Sequence, residues 1–234
     1  MSKPYFQFKR FTVWHDRCAM KVGTDGVLLG AWTSVEGARH LLDVGTGTGL
    51  IALMLAQRAA PDARLVALEI DAAAAGQASD NVAHSPWSGR IEVVRADFKH
   101  YHSPVKFDVI VSNPPYFTDS LRCPDPRRDA ARHNQSLSYG KLLEGVARSL
   151  APNGTFSLVI PADAAETVKS LALAHRLYTV RQTNVFTKPG KPARRSLLAF
   201  AFEACPRMAD ELFVEKEGGG YSPEYIELTK EYYY

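Results

Sequence analysis

Short apolar runs alternate with helix-length stretches through the middle of this chain, and no other feature narrows the possible folds as far. The strand-like runs are His40–Val44, Arg64–Ile70, Arg90–Arg95, Phe107–Ser112 and Thr155–Ile160. Between them lie Leu50–Ala59, Ala72–His84 and Tyr139–Leu150, with Ala164–His175 following the last. Strands that alternate with helices in this way form a parallel sheet covered on both faces, so the expected class is α/β. Tyr178–Phe186 and Ser196–Glu203, joined by a short Pro/Gly turn, read as an antiparallel hairpin. A length of 234 residues suits a single domain, 1–234. Two segments stand outside the alternation. Residues 1–39 contain alternating Phe6-Gln7-Phe8-Lys9 and Phe11-Thr12-Val13, then a helix opening near Thr24. Residues 204–234 form an extension in which Ser222 is a plausible N-cap, with Pro223 at the first helical position and Glu224 in the first turn. The expected helix there runs from Pro223 to Tyr232.

Composition excludes several classes. No apolar run approaches the roughly 18 residues of a membrane span, and the start lacks the apolar core of a signal peptide. Cys18, Cys123 and Cys205 are far apart, with no Cys-x-x-Cys, which argues against a disulfide framework or a zinc site. The expectation is a reducing, cytoplasmic setting and no metal. Net charge is +3, unevenly spread: from Asp210 onward seven acids face two lysines, so the body before it is the more basic part. A basic body suits a polyanionic partner, though charge alone moves that reading only slightly.

Asp43-Val44-Gly45-Thr46-Gly47-Thr48-Gly49 follows the first parallel strand and opens a helix. Glycines there allow a tight turn and close approach of a ligand to the backbone. The pattern is G-x-G-x-G, unlike the G-x-G-x-x-G of dinucleotide sites, and the leading Asp43 would repel a pyrophosphate. It suits a ligand bearing an ammonium and a sulfonium, as S-adenosylmethionine does. Glu69, closing the second strand, can accept from two ribose hydroxyls. Asp97, after the third, can receive an adenine amine with Phe98 against the ring. Each acid alone is more often a solvated residue or a cap. Three in order after successive strands are not, and Asp71 is left as the cap of the following helix.

Asn113-Pro114-Pro115-Tyr116 ends the fourth strand. Two prolines fix φ and remove donors, so the loop offers carbonyl oxygens without competing N–H groups. Asn113 adds a side-chain acceptor and Tyr116 a flat aromatic face. Together they can hold a planar ring and grip its exocyclic amine. Adenine N6, guanine N2 and a glutamine amide all satisfy that description. Two basic segments can contact phosphates: the loop 118–134, with Arg122, Arg127, Arg128, Arg132 and His133, and the turn bearing Lys188, Lys191, Arg194 and Arg195.

Across about residues 40–203 these features resemble the class I S-adenosylmethionine-dependent methyltransferases. The resemblance implies a Rossmann-like core, a seven-stranded, mostly parallel sheet with an antiparallel last strand. It also implies that Asp43, Gly45, Gly47 and Gly49 border the methionine moiety, that Glu69 holds the ribose and that Asp97 holds the adenine. Lys21-Val22-Gly23-Thr24-Asp25-Gly26 is similar to the N-terminal element that closes over the methionine end, which brings in Lys21 and Thr24. Phe6–Trp32, especially Cys18–Trp32, with Ala131-Arg132-His133 and Tyr225–Lys230, narrow the resemblance to the tRNA(Val) adenine-N6 methyltransferases, whose target adenine lies beside the anticodon in a single-stranded loop. A protein glutamine N5-methyltransferase is the enzymatic alternative. Such enzymes usually carry an N-terminal helical domain, and only about 40 residues precede the first strand here. A non-catalytic, cofactor-binding scaffold is the third reading, which an intact Asn113 and Tyr116 oppose.

Overall fold

The computed structural model describes residues 3–18, 21–115 and 137–234. Tyr116, Arg122, Arg127, Arg128, Arg132 and His133 lie outside the described residues. Ten strands are described: β1 Tyr5–Gln7, β2 Thr12–Trp14, β3 His40–Val44, β4 Arg64–Glu69, β5 Ile91–Arg95, β6 Phe107–Ser112, β7 Leu150–Pro161, β8 Tyr178–Phe186, β9 Ala193–Ala201 and β10 Met208–Phe213. The described α-helices are α1 Thr24–Trp32, α2 Leu50–Arg58, α3 Ala72–Ala83, α4 Tyr139–Ser149, α5 Ala165–Leu173 and α6 Pro223–Thr229.

Eight strands form one sheet in the order β10-β8-β9-β7-β6-β3-β4-β5. β9 is antiparallel to β7 and β8, and the other pairs are parallel. The alternating side chains of each strand feed two cores. Leu41, Val109, Val111, Leu197 and Ala199 meet α1 and α2 on one face. Leu42, Val44, Ile110, Phe156, Leu158 and Phe200 meet α4 and α5 on the other. At about 25 cal/mol per Å² of buried apolar surface, this two-sided burial is the main stabilising term.

The sheet therefore has eight strands rather than the seven the resemblance implies. The addition is β10, paired in parallel with β8 at the edge. Only Leu212 of its six residues is buried, so its sequence shows neither an apolar run nor alternation. Polar contacts hold it instead: Thr183 Oγ1 donates to Asp210, and Arg181 pairs with Asp210 at 3.8 Å.

Local chemistry sets the helix starts. Asp71 accepts from the Ala74 amide at 2.8 Å, Ser138 from Lys141 at 3.3 Å, and Ser222 from Tyr225 at 3.0 Å. The C-terminal tail packs on the body: Tyr232 is 1% exposed, its hydroxyl donates to Met54 O at 3.1 Å, and its carbonyl accepts from Lys9 N at 2.9 Å.

β3 runs on to β4 and β5 on one side, whereas β6 lies on its other side. The connections thus diverge between β3 and β6. In open α/β sheets such a switch point leaves a crevice beyond the carboxyl ends of the strands.

Candidate active site

The loops leaving β3 and β6 build the crevice. Gly45 and Gly47 have φ of +73° and +57°, left-handed values that favour glycine. The Gly47 amide donates to Glu69 Oε2 at 2.8 Å, and Glu69 Oε1 accepts from the Ile70 and Asp71 amides at 2.9 and 3.0 Å. Glu69 thus ties the end of β4 to the glycine loop. Across the crevice, Ser112 Oγ donates to Val44 O at 2.9 Å, which fixes the base of the Asn113 loop to β3.

Two compartments share Gly45, Gly47, Asn113, Pro114 and Pro115 in their walls. The larger, about 330 Å³, is mostly apolar, with Leu68, Ile70, Ala96, Phe98 and Leu137, and it carries Glu69 and Asp97. The smaller, about 160 Å³, is lined by Lys21, Gly23, Asp25, Thr46 and Thr48. An apolar slot with three acids in its wall, Glu69, Asp71 and Asp97, suits a nucleoside, and a compartment with one anion and one cation suits a zwitterion. These residues fit S-adenosylmethionine, the adenosine in the larger space and the methionine end in the smaller.

Glu69, Asp97, Phe98, Gly45, Gly47, Lys21 and Asn113 all reach these walls. Phe98 is held from behind by α4. A Cβ on Gly145 would come within 2.5 Å of its ring, so only glycine lets the helix sit so close. Asp97 also braces its own turn, accepting from the Lys99 amide at 3.0 Å and pairing with the Lys99 ammonium at 3.4 Å.

Three positions behave otherwise. Asp43 is fully buried and lies outside both walls. Its Oδ2 accepts from Thr46 Oγ1 at 2.6 Å and Ala52 N at 3.2 Å, so it shapes the glycine loop from beneath. Gly49, φ +82°, caps α2 behind the loop. Thr24 faces neighbouring cavities on the other side of α1's start.

Burial raises the Asp43 carboxyl from 3.8 to about 7, against the Thr46 and Ala52 hydrogen bonds that lower it. The folded protein therefore holds this proton more tightly than the unfolded chain. The stability it contributes is complete below pH about 4 and is lost as pH rises through about 7. One proton corresponds to a slope of at most about 1.4 kcal/mol per pH unit. Denaturant melts between pH 4 and 7 are expected to show wild type losing stability relative to Asp43→Asn as pH rises. Parallel profiles for the two proteins would contradict this.

Four further residues escape sequence reasoning. Asp25, in the first turn of α1, and Cys18 line the smaller and larger compartments respectively. Burial, with Glu69 and Asp71 nearby, pushes the Cys18 thiol up to about 11, so it is no nucleophile at neutral pH. Leu137 joins the larger wall from a distant part of the chain. Asn81 of α3 is 1% exposed and accepts from Trp14 N at 2.9 Å. It donates to Trp14 O and Thr48 O, both at 2.8 Å, so it clamps the β1–β2 hairpin to the glycine loop. A polar residue in the middle of a helix was the only signal for it.

Because β9 is reversed, its first residues lie at the same end of the sheet as the crevice. Lys188, Lys191 and Arg194 are exposed on that rim. Arg195 is instead half-buried, and its Nε donates to Asp25 Oδ2 at 2.9 Å. Among the described residues no helix is long and apolar enough to cross a membrane, and no cluster of His, Cys, Asp or Glu could hold a metal.

Comparison with known proteins extends this geometry. Residues 23–187 match the family described as methyltransferase small domain. A tRNA1(Val) (adenine(37)-N6)-methyltransferase of Bacteroides thetaiotaomicron is 64% identical over 100% of this chain and 98% of its own. One of the same description from Tolumonas auensis is 44% identical over 97% and 96%. Among solved structures, a predicted O-methyltransferase from Agrobacterium tumefaciens superposes with a TM-score of 0.69 at 19% identity, covering 90% of this chain and 98% of that one. That likeness concerns the fold alone.

Proposed function

The chain belongs to the methyltransferase small domain family and to the tRNA1(Val) (adenine(37)-N6)-methyltransferases, and on that premise we propose that it methylates N6 of adenine 37 in tRNA1(Val). Its cofactor is S-adenosylmethionine, which supplies a methyl group on an electrophilic sulfonium. The observation that supports the reading is the position of Asn113 and Pro114 in the shared wall of both compartments, where the nucleoside and methionine ends of such a donor would meet.

An adenine amine is a weak nucleophile because its lone pair is delocalised into the ring. The Asn113 side-chain oxygen and the Pro114 carbonyl accept its two hydrogens and turn the lone pair out of the ring plane. This is catalysis by orientation and fixed polarity, with no strong base. The Ser112–Val44 hydrogen bond and the two prolines hold these acceptors in place before the base arrives. Tyr116 stacks on a base that has left its helical stack, and Lys188, Lys191 and Arg194 take phosphates along the rim. Arg127, Arg128 and Arg132, which lie outside the described residues, are further candidates for phosphate contact on their charge alone.

Purified protein with labelled S-adenosylmethionine is expected to label unmodified tRNA1(Val) and to leave that tRNA unlabelled when adenine 37 is replaced by guanine. Label in a glutamine-bearing protein instead would favour the glutamine alternative. No label in any RNA or protein pool would favour the scaffold.

A further inference from the structure

Arg195 and Asp25 join two parts of the molecule that the sequence keeps far apart. Asp25 lines the smaller compartment and also a surface cavity of about 430 Å³ that holds Thr24, Thr187, Arg194 and Arg195. Arg195 is anchored in the sheet interior, its backbone in register with Pro161 of β7 and Val185 of β8. From that fixed base its Nε donates to Asp25 Oδ2 at 2.9 Å, and its Nη1 donates to Arg194 O at 3.0 Å. The two side chains are 23% and 26% exposed, so water screens the pair only in part. A guanidinium is planar and directional, and it fixes the plane of the carboxylate it grips.

Asp43, the acid that sequence reasoning sends to the cationic end of the donor, lies outside both walls. Asp25 stands in the compartment itself, opposite in charge to Lys21 in the same wall. We infer that Asp25 receives the α-ammonium of the donor's amino-acid end, and that Arg195 is the positioning residue that aims the Asp25 carboxylate there. This rests on the methyltransferase reading through the identity of the donor. It removes Arg195 from the phosphate-contacting set and leaves Lys188, Lys191 and Arg194 in it.

The test is calorimetric titration, without RNA, of S-adenosylhomocysteine and of methylthioadenosine, which lacks the amino-acid end. Asp25→Asn and Arg195→Ala should each weaken S-adenosylhomocysteine by about tenfold, the size of one lost charge-assisted hydrogen bond, with methylthioadenosine unchanged. Arg195→Lys, which keeps the charge but not the planar fork, should recover only part of the loss, and the double variant should bind no worse than either single one. In a separate titration with tRNA, Arg194→Ala should lower the salt slope by about one unit while Arg195→Ala leaves it alone. Equal weakening of methylthioadenosine, additive losses, or a reduced salt slope for Arg195→Ala would each overturn the pair's role. Wild type that binds neither compound would overturn the donor assignment itself. A protein that binds donor as expected but methylates no tRNA would overturn only the substrate.

Discussion

Replacing Asn113 by alanine is expected to abolish measurable methyl transfer, with a rate loss on the order of 10³-fold, while S-adenosylhomocysteine still binds within a few-fold of wild type. The asymmetry follows from where the residue sits. Asn113 is one of five residues common to both compartments, so its removal leaves Glu69, Asp97, Phe98 and the glycine loop in place around the donor. What goes is one of two acceptors that orient the amine, an interaction whose full value appears only as the nitrogen loses planarity. Single-turnover transfer measured beside calorimetric binding separates the effects. Equal loss of both would remove Asn113 from the chemistry and make it part of the binding wall.

Glu69→Ala is expected to have the opposite signature, with cofactor affinity falling on the order of 100-fold. In the unliganded protein this carboxylate already accepts from Gly47, Ile70 and Asp71 amides, so it sets the shape of the glycine loop and the end of β4. It also lines the larger compartment, which we propose receives the ribose of the donor. Truncation leaves those amides without their acceptor and deletes the group that meets the sugar hydroxyls. The same variant should change transfer at saturating donor far less than Asn113→Ala does. A Glu69→Ala protein that binds donor normally would show the ribose contact to be misplaced.

How legible this was in the sequence depended on how local each cause is. β3, β4 and β6 emerged within a residue of their observed ends, because burial on two faces writes itself as apolar residues. The caps Asp71 and Ser222 were readable because a cap is satisfied three residues away. β10 was not readable, since an exposed edge strand held by Asp210 has no apolar signature. The acids show the same division. Glu69 and Asp97 line the site as their strand-end positions imply, whereas Asp43 turns inward to Thr46 and Ala52. Asp25 and Asn81 needed coordinates, because their partners Arg195, Trp14 and Thr48 lie far along the chain. Arg195 looked like one more charge in a basic turn until its partner was visible.

The Asn113 loop is proposed to place a methyl group on N6 of one particular adenine. Mass spectrometric mapping of tRNA1(Val) from cells with and without this chain tests it most directly. N6-methyladenosine is expected at position 37 in the first sample and unmodified adenosine there in the second, with methylation restored by wild type and not by Asn113→Ala. N6-methyladenosine still present at position 37 without the chain, or restored by the Asn113→Ala protein, would contradict it.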